Sequence, residues 1–267
     1  MGDQRTRPRS ERDTRRRTLS QNFLHDKGAV EWFVDTADLH PDGLVLEVGG
    51  GDGIITEHAA SRCRELEVYE IDRFYARKIE NRVIKHSNVR VIASDFLLAT
   101  PPEEPFQVIG NVPFSITAAV IDWCLDAAAM ENATFITQLE YARKRTGDFG
   151  RWSLLTILTW PLFAWELRGR ISRTRFRPMP RVDAGVLRLD QRSHPLIPFS
   201  RMGAYERMVQ LGFSGIGGSL YSSLSTRFPR ARVLRALAAA GVERDRVVAF
   251  VEPEQWLLIF ESLDARQ

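Results

Sequence analysis

Between residues 44 and 139 the chain passes through five short apolar runs, most of them separated by longer stretches of helical periodicity. The runs are LVLEVG (44–49), ELEVYEI (65–71), NVRVIAS (88–94), FQVIG (106–110) and ATFITQL (133–139). IITEHAASRC, RFYARKIENRVIKH and ITAAVIDWCLDAAA lie among them, and AVEWFVDTADL precedes the first. Strands this far apart cannot be joined as tight hairpins. A strand that is followed by a crossover helix returns parallel to itself, and the helices then cover both faces of the sheet. The fold class is therefore α/β. Beyond about residue 150 the pattern changes: ELRGRISRTRF and AGVLRLDQR read as late strands flanking the turn-rich RPMPRVD. From about 198 the chain reads as mostly helical, so a small C-terminal helical domain is expected after the sheet. A chain of 267 residues that is 44% hydrophobic has enough length and apolar content for both.

The first strand runs into LEVGGGDGIIT (46–56), which places Gly49, Gly51 and Gly53 between a strand and a helix. Glycines there let a ligand approach the backbone beside a helix N-terminus. A dinucleotide fingerprint would need glycine at 54, where Ile54 stands. The G-x-G-x-G spacing, with Glu47 two residues ahead, resembles the first motif of methyltransferases that use S-adenosylmethionine. Glu70 closes the second strand and can accept both hydroxyl hydrogens of a ribose. Asp95 closes the third, where it can accept from an adenine amino group, with Phe96 beside the ring. Taken singly, each acid is more often a helix cap or a surface charge. Three such features at successive strand ends fall where open α/β sheets bind ligands. The sheet is accordingly read as Rossmann-like, with S-adenosylmethionine as cofactor.

The fourth strand ends in Asn111-Val112-Pro113-Phe114. A turn explains Asn and Pro but not the aromatic. The amine of adenine is a poor nucleophile because its lone pair is delocalised into the ring. The Asn111 side-chain oxygen, with the Val112 or the Pro113 carbonyl, can accept its two N–H bonds, pyramidalise the nitrogen and stabilise the positive charge that develops on it. Pro113 fixes the backbone, and Phe114 can stack on the base. Asn111, Pro113 and Phe114 are thus the candidate catalytic residues.

The net charge of +3 hides two basic zones. Residues 1–18 hold seven arginines against three acids, and residues 140–181 hold ten lysines or arginines against three acids. The second zone also contains Phe149, Trp152, Trp160, Phe163, Trp165 and Phe176. Cations neutralise phosphates and aromatics stack on bases, so the partner is expected to be a nucleic acid, with Arg143, Lys144 and Arg145 as candidate substrate contacts. Residues 1–18 lack apolar periodicity and read as a tail. No run of about 18 apolar residues is present to span a membrane. The two cysteines, Cys63 and Cys124, lack metal-ligand spacing and fit a reducing cytoplasm, and the five histidines are scattered. No metal is expected. A second glycine-rich run, GFSGIGGSL (212–220), lacks a phosphate-binding lysine and reads as a turn.

TLSQNFLHD (18–26), EVGGGDG, YEID, SDFL, GNVPF, QLEYARKRTG and FRPMPRVD follow one another in an order that resembles the ribosomal RNA adenine-N6 methyltransferases. The Erm branch, the macrolide–lincosamide–streptogramin B resistance enzymes, is the most similar, particularly its actinomycete members. Ser20 and Phe114 favour it over the sister branch that dimethylates small-subunit (16S) RNA, which is the alternative. A binding-only assembly factor on the same fold is disfavoured by the intact Asn111–Phe114 motif.

The resemblance spans about residues 15–265. It implies methylation of one adenine of 23S ribosomal RNA by a cytoplasmic enzyme, expected to act as a monomer. It places Asn22 and Leu24, with Gly49, Gly51, Glu70, Asp95 and Asn111, at the cofactor, and Phe114 and Phe176 near the flipped base. Phe114 stands where many members have tyrosine, which excludes any role for a phenolic hydroxyl. The implied domains are a basic tail (1–18), a catalytic domain (19–190) and a helical domain (191–267).

Overall fold

The computed structural model describes residues 22–264. The basic tail, Ser20 and Gln21 lie outside the described residues. The chain opens with a two-residue strand, β1 (Phe23–Leu24), and helix α1 (Lys27–Ala37), whose N-cap Asp26 accepts the Ala29 amide at 2.9 Å. The alternating core follows: β2 (Leu44–Val48), α2 (Ile54–Ala59), β3 (Glu65–Tyr69), α3 (Arg73–Arg82), β4 (Val89–Ile92), β5 (Phe106–Asn111), α4 (Thr117–Asp126) and β6 (Met130–Gln138). Next come α5 (Leu139–Arg145), α6 (Leu154–Thr159), β7 (Phe163–Ile171), β8 (Phe176–Arg177) and β9 (Ala184–Gln191). Four helices finish the chain: α7 (Phe199–Gly212), α8 (Leu220–Leu224), α9 (Arg230–Ala239) and α10 (Pro253–Asp264).

Seven strands form one sheet in the order β4-β3-β2-β5-β6-β9-β7, and the ladders from β4 to β6 are parallel. The chain moves outward from β2 to β4 and then returns to the other side of β2 as β5. That reversal creates a crevice at the strand C-termini. β2 is buried at every position, including Glu47, as a central strand covered on both faces requires. The expected late strand over 166–176 is interrupted. β7 ends at Ile171, a 3-10 turn covers Arg173–Arg175, and Phe176–Arg177 pair with β1 in a separate two-stranded sheet.

Two compact units result. The chain through Leu139 together with Arg168–Arg188 forms the first, with a core that includes Leu24, Phe33, Val45, Leu66, Ile109 and Phe176. Glu140–Leu167 with Leu189–Gln267 forms the second. Its core holds Tyr205, Trp256 and Phe260, and the Tyr205 hydroxyl donates to the Ile157 carbonyl at 2.9 Å. The glycine-rich run near 216 is a 3-10 turn (Ile216–Gly218) between α7 and α8, with Gly215 and Gly218 at positive φ.

Candidate active site

A cavity of about 210 Å³ opens at the C-terminal ends of β2, β3 and β5. Asn22, Leu24, Gly49, Gly51, Glu70, Asp95, Asn111, Pro113, Phe114 and Phe176 all line it.

The glycine loop forms the floor. Gly49 and Gly51 have φ of +70° and +57°, values that L side chains rarely adopt. A Cβ on Gly49 would meet nothing within 4 Å, so the backbone there is open to a ligand. A Cβ on Gly51 would lie 2.8 Å from the Phe23 ring, so the loop and the N-terminal strand are fitted to each other. Glu70 follows β3 directly and is almost fully buried. Its Oε2 accepts the Gly51 amide at 2.8 Å and its Oε1 accepts the Asp72 amide at 2.9 Å. Burial pushes this carboxyl up, and the two amides oppose that by hydrogen-bonding the ionised form. A bond from the Ile71 amide also opposes the upward push, and of the roughly four acceptor sites of a carboxylate at least one remains for a ligand hydroxyl. Asp95 does cap a turn, since its Oδ1 accepts the Leu97 amide at 3.0 Å, and it also forms part of the cavity wall.

Asn111 is the last residue of β5, and its Nδ2 donates to the Asn22 carbonyl at 2.7 Å. Only the NH₂ side of an amide can donate to a carbonyl, so the bond fixes the amide orientation and leaves Oδ1 as an acceptor. The Pro113 carbonyl accepts the Ile116 amide at 3.0 Å and the Thr117 hydroxyl at 3.2 Å. Both its lone pairs are therefore taken, and Pro113 is ruled out as the backbone acceptor. The Val112 carbonyl receives no such bond among the described residues and remains available. Pro113 contributes by fixing the turn, while Phe114 is half-buried on the cavity wall.

Phe176 is buried at 3% exposure in the core and also lines the cavity, so the two roles coincide. Its pairing with Leu24 brings β8 to the N-terminal strand, and Arg175 forms an ion pair with Asp26.

Arg143, Lys144 and Arg145 are not brought to this cavity. They lie at the end of α5, in the other compact unit. Arg143 pairs with Asp148. Arg145 donates to the Ser153 hydroxyl at 2.9 Å and sits 4.9 Å from the centre of the Tyr141 ring. Of the three, only Lys144 is exposed without a side-chain partner among the described residues. A charge count cannot see such neutralisation.

Phe23, Tyr69 and Ile71 were missed in the sequence, yet they line the cavity. Ile71 was legible as the apolar residue after Glu70. Phe23 carried no signal, because a two-residue strand has no period to detect. Among the described residues no group of three or more His, Cys, Asp or Glu is placed to hold a metal, and no helix is long and apolar enough to cross a membrane.

The family model for "Ribosomal RNA adenine dimethylase" matches residues 12–265. The chain belongs to this family. It is 48% identical over 258 residues to the rRNA adenine N-6-methyltransferase of Saccharopolyspora erythraea, covering 97% of this chain and 68% of that protein. It is 50% identical over 250 residues to a protein of the same name from Streptomyces fradiae, covering 93% of this chain and 78% of that one. The crystal structure of the 23S rRNA methyltransferase ErmE superimposes with a TM-score of 0.89 at 48% identity, covering 91% of this chain and all of that one.

Proposed function

We propose that the cavity holds S-adenosylmethionine at its glycine-loop end and an extruded adenine at its Asn111 end. The chain is an adenine-N6 methyltransferase of 23S ribosomal RNA, and the modification gives macrolide–lincosamide–streptogramin B resistance. The residues present fit the cofactor: a backbone open at Gly49, a buried carboxylate held by the Gly51 amide, and a cavity wall that includes Asp95. When bound, S-adenosylmethionine supplies a methyl group on a positively charged sulfur. Glu70 binds the ribose hydroxyls, Asp95 the adenine amine of the cofactor, and Asn22 and Leu24 close over it.

The target adenine leaves its stack at a cost of about a few kcal/mol. Phe114 and Phe176 replace the stacking it loses. Asn111 Oδ1 and the Val112 carbonyl accept its two N6 hydrogens and draw the nitrogen toward tetrahedral geometry. They would also stabilise the charge that develops on nitrogen as its bond to the methyl carbon forms and the carbon–sulfur bond breaks, the electron pair leaving on the neutral thioether. The methylated amine is then acidic enough to shed its proton without a strong base.

The observation that carries this reading is the Asn111 Nδ2 bond to the Asn22 carbonyl, which leaves Oδ1 free to accept. We assign catalysis to residues 19–190 and support of RNA binding to residues 191–267 and to the basic zones. Action as a monomer in the cytoplasm completes the proposal, and two buried free thiols fit a reducing compartment.

Mass spectrometry of large-subunit and small-subunit RNA, each incubated separately with the purified protein and S-adenosylmethionine, tests it. N6-methylated adenine at one position is the expected product; methylation only in small-subunit RNA, or none, would overturn the assignment.

A further inference from the structure

The loop over residues 177–182 carries a side chain that the chemistry above does not use. Phe176, at its start, and Pro180, within it, are buried and line the cavity. Between them Met179 is 58% exposed, and Val182 just beyond is 46% exposed. The loop that presents Met179 is tied down. Asp183 accepts the Arg173 amide at 2.8 Å and pairs with Arg170, while its carbonyl accepts the Leu139 amide at 3.1 Å. The Arg181 carbonyl accepts Arg173 Nη1 at 3.2 Å. Pro178 and Pro180 restrict the backbone on either side of Met179.

The arginines around the loop divide into two sets. Arg170, Arg173 and Arg175 are engaged with Asp183, the Arg181 carbonyl and Asp26. Arg177 and Arg181, which flank the Pro-Met-Pro segment, are exposed and have no side-chain partner among the described residues. Next to the cavity-lining Phe176 and Pro180, the loop thus presents exposed Met179 between two uncommitted cations. Ile71, at 55% exposure, is an exposed apolar residue of the cavity lining, but it directly follows Glu70 and stands at the glycine-loop end.

Extruding a base leaves a gap in the stack that the base refills unless something else occupies it. Proteins that unstack nucleic acids insert apolar side chains, methionine among them, between the bases. An unbranched thioether adapts its shape to such a gap. We infer that Met179 enters the gap left by the target adenine while Arg177 and Arg181 hold the flanking phosphates. It is a positioning residue that keeps the adenine in the cavity. This rests on the reading of the Asn111 end as a base pocket.

The test uses two hairpins of the methylated RNA segment, with the target adenine stacked within a helix in one and unpaired in a bulge in the other. Wild-type transfer to the bulged hairpin checks the base-pocket reading independently. Met179→Ala is expected to lower kcat/KM on the stacked hairpin about tenfold or more, which corresponds to at least about 1.4 kcal/mol. On the bulged hairpin it should stay within about threefold of wild type, because no gap needs filling. Met179→Leu should restore most of the loss. With 2-aminopurine at the target position, the fluorescence rise on binding should be smaller for Met179→Ala than for wild type. Equal losses on the two hairpins, or no loss on the stacked one, would overturn the inference. Because the side chain is exposed, unchanged melting temperature and S-adenosylmethionine affinity are expected for both variants.

Discussion

Replacing Asn111 separates the two bonds that its amide makes. Asn111→Ala deletes the Oδ1 acceptor for the target amine and the donor that meets the Asn22 carbonyl at 2.7 Å. The acceptor is one of two aimed at a nitrogen where charge develops. Loss of a single preorganised partner of that kind costs about 10²–10³ in rate, or about 2.7–4 kcal/mol of transition-state stabilisation. The donor is a ground-state bond. Leaving the half-buried Asn22 carbonyl without it costs about 1 kcal/mol of stability. Asn111→Asp keeps an acceptor oxygen but turns a carboxylate toward that carbonyl, so it should fall between the wild type and the alanine variant. The assay is single-turnover transfer of labelled methyl to naked large-subunit RNA at saturating S-adenosylmethionine, with cofactor affinity measured by calorimetry and stability by melting. The expected order of rates is wild type, then Asp, then Ala, with cofactor affinity changed by less than about fivefold. An alanine variant within threefold of wild type would refute the acceptor role. So would an aspartate variant as slow as alanine. If cofactor affinity fell in proportion to the rate, the amide would be holding the cofactor rather than activating the amine.

Three other outcomes follow from the packing. Gly110→Ala would set a Cβ 2.6 Å from the Val48 carbonyl oxygen, between two central strands that cannot part; a loss of about 1–3 kcal/mol or more in urea unfolding is expected. Burial raises the Glu47 carboxyl from 4.5 to about 7, so the folded state keeps a proton that the unfolded chain releases first. The stability this lends is complete below about pH 4.5 and is lost as pH rises to about 7, a fall of about 3 kcal/mol that Glu47→Gln should flatten in urea titrations at pH 5 and pH 8. Burial pushes the Cys63 thiol up to about 11 and the Cys124 thiol higher still, so a disulfide reagent at pH 8 should label neither until denaturant is added.

The parallel core was legible because strands buried on both faces must be mostly apolar, and β2 and β5 are, with Glu47 and Gln107 as buried polar exceptions. Gly49, Gly51, Glu70 and Asn111 were legible as cavity-lining positions because they fall where such strands end. Their connections were not. The Gly51 amide bonds Glu70, and the Asn111 amide bonds a carbonyl 89 residues upstream, and neither contact leaves a periodic trace. The short pairing of Phe23–Leu24 with Phe176–Arg177 is invisible for the same reason. Charge was the weakest guide. Ten cations between 140 and 181 read as one binding surface, but Arg143, Arg170 and Arg175 are each matched by an aspartate.

The contact that the sequence hid most completely also explains why the chemistry needs this register. β5 lies against β2 with Ile109 opposite Glu47, and against β6 with Asn111 opposite Ile136. A slip of one residue would move Asn111 by about 3.3 Å and turn its side chain to the other face of the sheet. Gly110 holds the register, because only a residue without a side chain fits beside the Val48 carbonyl. With β5 fixed, the Asn111 amide still has two orientations related by a flip, and only one presents oxygen to the incoming amine. The Asn22 carbonyl selects that one. Asn22 and Leu24 also line the cavity, so on the proposed reading the segment that orients the Asn111 amide is the same one that would help enclose the cofactor. Catalytic orientation and cofactor enclosure therefore share a single support, and disturbing the N-terminal strand should impair both together.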